Sequence, residues 1–176
     1  MDRQPGRAPV SDIVVDDSAC ESDDLAFCGG VQVTVPGASA WGDLVDRAVD
    51  EGWVGIEALG GVRGTVADAV RDNARAHGQA VAYTLASVRT WDRQSDAQRT
   101  FAVADCRVDG DAPLRTRLPD GRERFDILDA TFLFRQGDLT APIHDEGLAE
   151  RLGIGPGGRA TLVALRDAAQ FFQEDR

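Results

Sequence analysis

The sequence predicts an α+β domain, a mixed sheet with flanking helices, on three observations. Residues 31–35 (VQVTV) alternate as a half-buried strand does. Trp41, Leu44, Val45, Ala48 and Val49 recur at helical spacing. The stretch 122–135 carries Ile127, Leu128, Phe132 and Phe134 after the turn Pro119-Asp120-Gly121, as one arm of a hairpin would.

The elements follow in order. Residues 1–10 read as a disordered lead-in and 11–15 as a short strand. The acidic segment 16–24 lacks apolar periodicity and reads as a loop. Pro36-Gly37 ends the strand over 31–35; Ser39 is placed to cap the first helix and Gly52 to close it. A second helix is expected over 66–77, with Thr65 as N-cap, Asp68 three residues on and Gly78 as terminator. Its inward residues would be Val66, Ala69, Val70 and Ala74; Asp68, Arg71, Asp72 and Arg75 would face outward. Strands are expected over 81–91 and 99–105, then over 115–118 and 122–135. A short helix over 145–152 would end at Gly153, and a last one over 161–173 aligns Leu162, Leu165, Ala169 and Phe172. Residues 11–176 form a single domain by this reading.

Composition excludes several function classes. The net charge of −11 disfavours nucleic acid and anionic membrane surfaces as partners. No lysine occurs, which removes Schiff-base chemistry and any lysine-containing phosphate loop. The three cysteines, Cys20, Cys28 and Cys106, lack metal-site spacing and read as reduced thiols in the cytoplasm, Cys106 in the core. No apolar run is long enough to span a bilayer. Trp41, Trp53 and Trp91 read as packing residues, since no basic groove accompanies them.

The candidate site is the turn Gly60-Gly61-Val62-Arg63-Gly64 and the helix that follows. Free N–H groups at a glycine turn entering a helix make an anion site. Arg63, Arg71 and Arg75 would either grip a carboxylate or phosphate through forked hydrogen bonds, or form a solvated face with Asp68–Arg71 and Asp72–Arg75 pairs. His77 would be a general acid or base, or else a histidine at a helix C-terminus. Glu57 would orient the glycine turn or act as a buried acid. The assignment is His77, Asp72 and Asp68 as catalytic residues, with Arg63, Arg71, Arg75, Gly64, Thr65 and Asn73 binding substrate. No metal is expected.

Gly55-Ile56-Glu57-Ala58-Leu59, Gly61, Gly64, Val66, Asn73, Ala76 and Gly78-Gln79 together form a motif. With Ser87-Val88-Arg89, Ala104-Asp105-Cys106 and Phe134-Arg135-Gln136-Gly137-Asp138-Leu139, it resembles the UDP-N-acetylenolpyruvoylglucosamine reductases (MurB), actinobacterial members in particular. The resemblance implies the central α/β subdomain of their flavin-binding fold. It also implies FAD, NADPH and reduction of an enolpyruvyl group as the ancestral chemistry.

The chain departs from that family's pattern. Gly110 and Asp111 stand where its tyrosine and arginine are expected. The N-terminal flavin subdomain and the C-terminal serine and glutamate segment have no counterpart in residues 11–176. In the phosphate-side loop, Arg63, Ala67, Val70, Asp72, Arg75 and His77 replace proline, glycine, proline, glutamine, glycine and tyrosine. These departures lead us to expect a repurposed protein: a cofactor-independent isomerase, cyclase or lyase acting on a small molecule in a specialised-metabolite pathway, assembled as a homodimer. The alternatives are an FAD-dependent oxidoreductase with a reduced flavin site and a non-catalytic binding or scaffold protein.

Overall fold

The structure, a computed structural model, describes residues 13–16, 30–106 and 112–174, with side chains to residue 171. The lead-in over 1–10, most of the 16–24 loop, Cys20, Cys28, Gly110 and Asp111 lie outside the described residues. In chain order the elements are β1 (Val14–Asp16), β2 (Val31–Pro36), α1 (Trp41–Asp50), β3 (Trp53–Val54), α2 (Val66–Asp72), β4 (Arg75–Ala76) and β5 (Gln79–Ala80). There follow β6 (Leu85–Asp92), β7 (Ala97–Ala102), α3 (Val103–Cys106), β8 (Phe125–Gln136), α4 (Glu146–Arg151) and α5 (Leu162–Glu174). Short 3-10 turns occupy Glu57–Leu59, Val81–Tyr83 and Pro113–Arg115.

The main sheet runs β1-β2-β8-β6-β7, and β3 pairs with the end of β8. Every pairing among the described strands is antiparallel, a narrower statement than the mixed sheet expected of an α+β fold. The twelve-residue β8 is the central strand, held by β2 on one side and β6 on the other. Its alternation turns Phe132 and Phe134 inward, where Phe134 stacks on both Phe132 and Trp53. Across the strands Val33 sits beside Phe132 and Val88 beside Ala130, so the inner face is a continuous apolar surface. Helix α1 lays Trp41, Leu44, Val45 and Ala48 into the same core, and the Trp41 indole N–H donates to the Leu59 carbonyl at 3.0 Å. A smaller cluster joins Ala58 to Leu148 and Ala149 of α4 and Leu165 and Ala168 of α5.

The outer face suits water. Val14, Thr34 and Thr131 share one row with Ser87 and Ala102. The next row carries the Arg89–Asp129 ion pair.

Three local expectations need correction. Ala40 rather than Ser39 is the N-cap of α1, because the Ser39 carbonyl is committed to the Val66 N–H at 2.8 Å. The helix expected over 66–77 stops at Asp72. Asn73 takes the left-handed conformation (φ 43°), the Ala74 N–H reaches back to the Ala69 carbonyl, and Asn73 Oδ1 accepts from the Ala82 N–H. Beyond it, β4 and β5 form a hairpin whose two-residue turn, His77-Gly78, has φ of 49° and 83°, the signature of a type I′ turn. His77 therefore sits at a hairpin tip, not at a helix end. Finally, the segments expected as strands over 81–84, 103–105 and 115 are 3-10 or helical turns, β6 begins at Leu85, and the strand pair expected over 115–118 and 122–124 is reduced to an isolated Arg117–Glu123 bridge before β8 begins at Phe125.

Candidate functional site

The glycine turn and α2 are anchored by their own hydrogen bonds. Thr65 caps α2: its hydroxyl accepts from the Asp68 N–H at 3.2 Å. In return Asp68 Oδ2 accepts from the Thr65 N–H at 2.9 Å and the Thr65 hydroxyl at 2.7 Å. The capping box implied by the sequence is complete. The next two amides are used as well, Val66 by Ser39 and Ala67 by Gly37, at 2.8 and 2.9 Å. The four N–H groups from Thr65 to Asp68 thus point at protein acceptors, and an exposed carboxylate lies over the helix start. Thr65's backbone and hydroxyl hydrogen bonds, with Arg71 nearby, hold that carboxyl below its ordinary range. The N–H groups of the helix start itself are therefore engaged within the chain.

The other candidate residues are distributed around α2. Arg71 is largely buried and structural: its guanidinium donates to the Phe125 carbonyl at 3.2 Å and lies near Glu123 and Asp68. The Asp68–Arg71 pair is present at 4.0 Å. Asp72 sits beside Arg115, a residue the sequence reading passed over. Arg115 donates to the Arg71 and Asp72 carbonyls, placing a cation on the C-terminus of α2. The expected Asp72–Arg75 helical spacing does not apply, since Arg75 lies in β4. Arg63 and Gly64 are exposed on the turn. Asn73 is buried, its carbonyl oxygen bonded to Ala82 and its amide nitrogen unpartnered among the described residues.

Glu57 is fully buried. Its Oε2 accepts from the Gly55 N–H at 2.6 Å, so it orients the chain just before the glycine turn. Its Oε1 has no partner among the described residues. Cys106 is the buried thiol expected, and burial pushes its pKa up to about 11.

His77 contacts a carboxylate from a distant segment. Its Nδ1 lies 3.0 Å from Oδ2 of Asp145, the N-cap of α4, whose other oxygen accepts from the Leu148 N–H. The Leu148 hydrogen bond and the His77 contact hold the Asp145 carboxyl below its ordinary range, so it is an acceptor only. The proton in this bond belongs to His77 Nδ1, and Nε2 is the basic nitrogen of the neutral ring. The sequence placed Asp145 at a helix start but gave no sign of its partner, 68 positions away. Asp68, Asp72 and His77 thus have three separate sets of partners.

The described clefts lie elsewhere. One of about 370 Å³ opens at the end of β8, between Val54, residues 135–142 and Arg159.

No family model matches the chain. It is 37% identical over 147 residues to the UDP-N-acetylenolpyruvoylglucosamine reductase of Cutibacterium acnes, covering 83% of this chain and 38% of that protein. The enzyme of that name from Thermobifida fusca is 36% identical over 138 residues, 78% of this chain and 38% of its own length. This chain is MurB-like. It spans about 38% of the length of those relatives. The crystal structure of MurB from Thermus caldophilus superposes with a TM-score of 0.52 over 81% of this chain and 43% of that one, at 14% identity, which supports the fold alone. The MurB-like motif brackets the self-capped turn: Glu57 and Gly64 precede α2, Asn73 terminates it, and Gly78 completes the β4–β5 hairpin.

Proposed function

We propose that this MurB-like protein works without flavin, as a cofactor-independent enzyme that moves a proton on a small molecule, in isomerase, cyclase or lyase chemistry. The observation that carries the reading is the His77–Asp145 pair at 3.0 Å. Asp145, as the acceptor, fixes the ring's tautomer and leaves Nε2 as the nitrogen that can accept a proton. In the resemblance His77 replaces a tyrosine, whose unperturbed pKa of about 10 lies further from neutrality than that of an imidazole.

The flavin side of the proposal rests on α2. A pyrophosphate at this helix start would need amides that Ser39, Gly37, Thr65 and Asp68 already use, and would meet the Asp68 carboxylate. The start of α2 therefore does not suit that group. A specialised-metabolite setting and a homodimer complete the proposal.

Two measurements test it. A visible spectrum followed by FAD titration should show a colourless protein that does not respond; one bound flavin per chain overturns the reading. In a turnover assay, His77→Ala should lose at least about tenfold, with little change in melting temperature; full activity removes the proton-transfer role. A second reading, an FAD-dependent oxidoreductase, is favoured by the retained Gly61, Gly64 and Asn73 and predicts the yellow protein.

A further inference from the structure

Most described arginines have a carboxylate partner: Arg93 pairs with Asp126, Arg124 with Asp92, Arg166 with Asp46 and Asp167. In a chain of net charge −11 this is the economical arrangement. Among the described residues, Arg63, Arg135 and Arg159 have no ion pair, side-chain hydrogen bond or aromatic contact. Two of these three, Arg135 and Arg159, line the same cleft of about 370 Å³.

The fold brings them together. Arg135 is next to last in β8, paired to Val54 of β3. The chain then turns through Gly137 and returns along the loop that carries Arg159. Leu139 bridges to Thr161, and the Thr140 and Ile143 N–H groups donate to the Ala160 and Gly158 carbonyls, both at 2.9 Å. Arg159 is thereby held against the exit of β8. Thr140 is 1% exposed and also lines the cleft; its oxygen accepts from the Ala160 N–H at 3.2 Å, leaving its own proton to donate. Asp138 is the opposing charge on the rim, so the cleft carries two guanidinium groups against one carboxylate.

We propose that this cleft is a binding site for the oxyanion group of a small molecule, a carboxylate or a phosphate. Two forked donors and a hydroxyl suit such a group. The adjoining cleft, lined by Asp50, Glu51 and Asp138, repels additional negative charge, so a single anionic group is preferred over a polyphosphate. The inference does not rest on the role of His77.

The test is an NMR titration with sodium phosphate and, separately, sodium acetate, at ionic strength held constant with sodium chloride. The Gly137, Thr140 and Ala160 amides should shift saturably with one of the two, and the tighter anion names the chemistry. Arg135→Ala and Arg159→Ala should each weaken binding by at least about fivefold, while Arg122→Ala, at another exposed arginine outside the cleft, leaves it unchanged. If either alanine variant melts early, Arg135→Lys or Arg159→Lys carries the test, since lysine keeps the charge without the fork. Linear shifts with both anions, or equal weakening in Arg122→Ala, overturn the proposal.

Discussion

Two buried carboxylates have opposite surroundings. Asp92, 2% exposed, is gripped by both arms of Arg124 at 2.8 and 2.7 Å. Glu57, 0% exposed, accepts a single N–H from Gly55. Arg124 holds the Asp92 carboxyl far below the ordinary carboxylate range. A carboxyl depressed in the folded state stabilises above its unfolded pKa, near 3.9, and loses that stabilisation as pH falls further. The urea midpoint should therefore drop below about pH 4, and Asp92→Asn should flatten that drop. An unchanged pH slope in the variant would show that the pair does not couple to folding. For Glu57, replacement by alanine leaves the Gly55 N–H unpaired and should cost about 1–3 kcal/mol. Glu57→Gln keeps an acceptor and should cost less, by denaturant unfolding of both variants. Equal losses would refute the hydrogen-bonding role.

At the scale of elements, α2 is a seven-residue helix kept in place by its ends. Thr65→Ala should cost about 1 kcal/mol of unfolding free energy. Asp68→Ala acts on the same cap, so the double variant should lose less than the sum. Strict additivity would mean that the two bonds are independent.

The start of this helix was legible because Thr65 and Asp68 announce a cap through local spacing alone. Its end was not. Residues 66–77 keep a helical apolar pattern through Ala74, and a periodicity argument runs past Asn73. The signal that could have stopped it is Asn73 itself, a residue tolerant of the left-handed conformation, followed closely by His77-Gly78 at a hairpin turn. The stripe of α1 and the alternation of β2 were readable because one buried face sets each period. The His77–Asp145 and Arg135–Arg159 associations were not, since each joins distant segments through tertiary packing that no local pattern encodes.

At the scale of the whole molecule, the described sheet buries an apolar inner face, and its other face carries Thr34, Thr131, Ser87 and the Arg89–Asp129 pair. Val14, Leu133 and Tyr83 are large apolar residues left exposed, and β1 and β7 are free edges of the described sheet. The proposed homodimer would use such features, and light scattering should return about twice the chain mass of 18.8 kDa. A single species at the chain mass removes the dimer from the proposal. Among the described residues no helix is long and apolar enough to cross a membrane.

The capped start of α2 also has a thermodynamic consequence. A protein whose helix amides wait for a ligand folds partly on that ligand's free energy, and its melting temperature climbs with ligand concentration. Here threonine, aspartate and two carbonyls supply that part from within the chain. Its melting curve should be the same with or without FAD, uncoupling the persistence of this fold from the supply of vitamin.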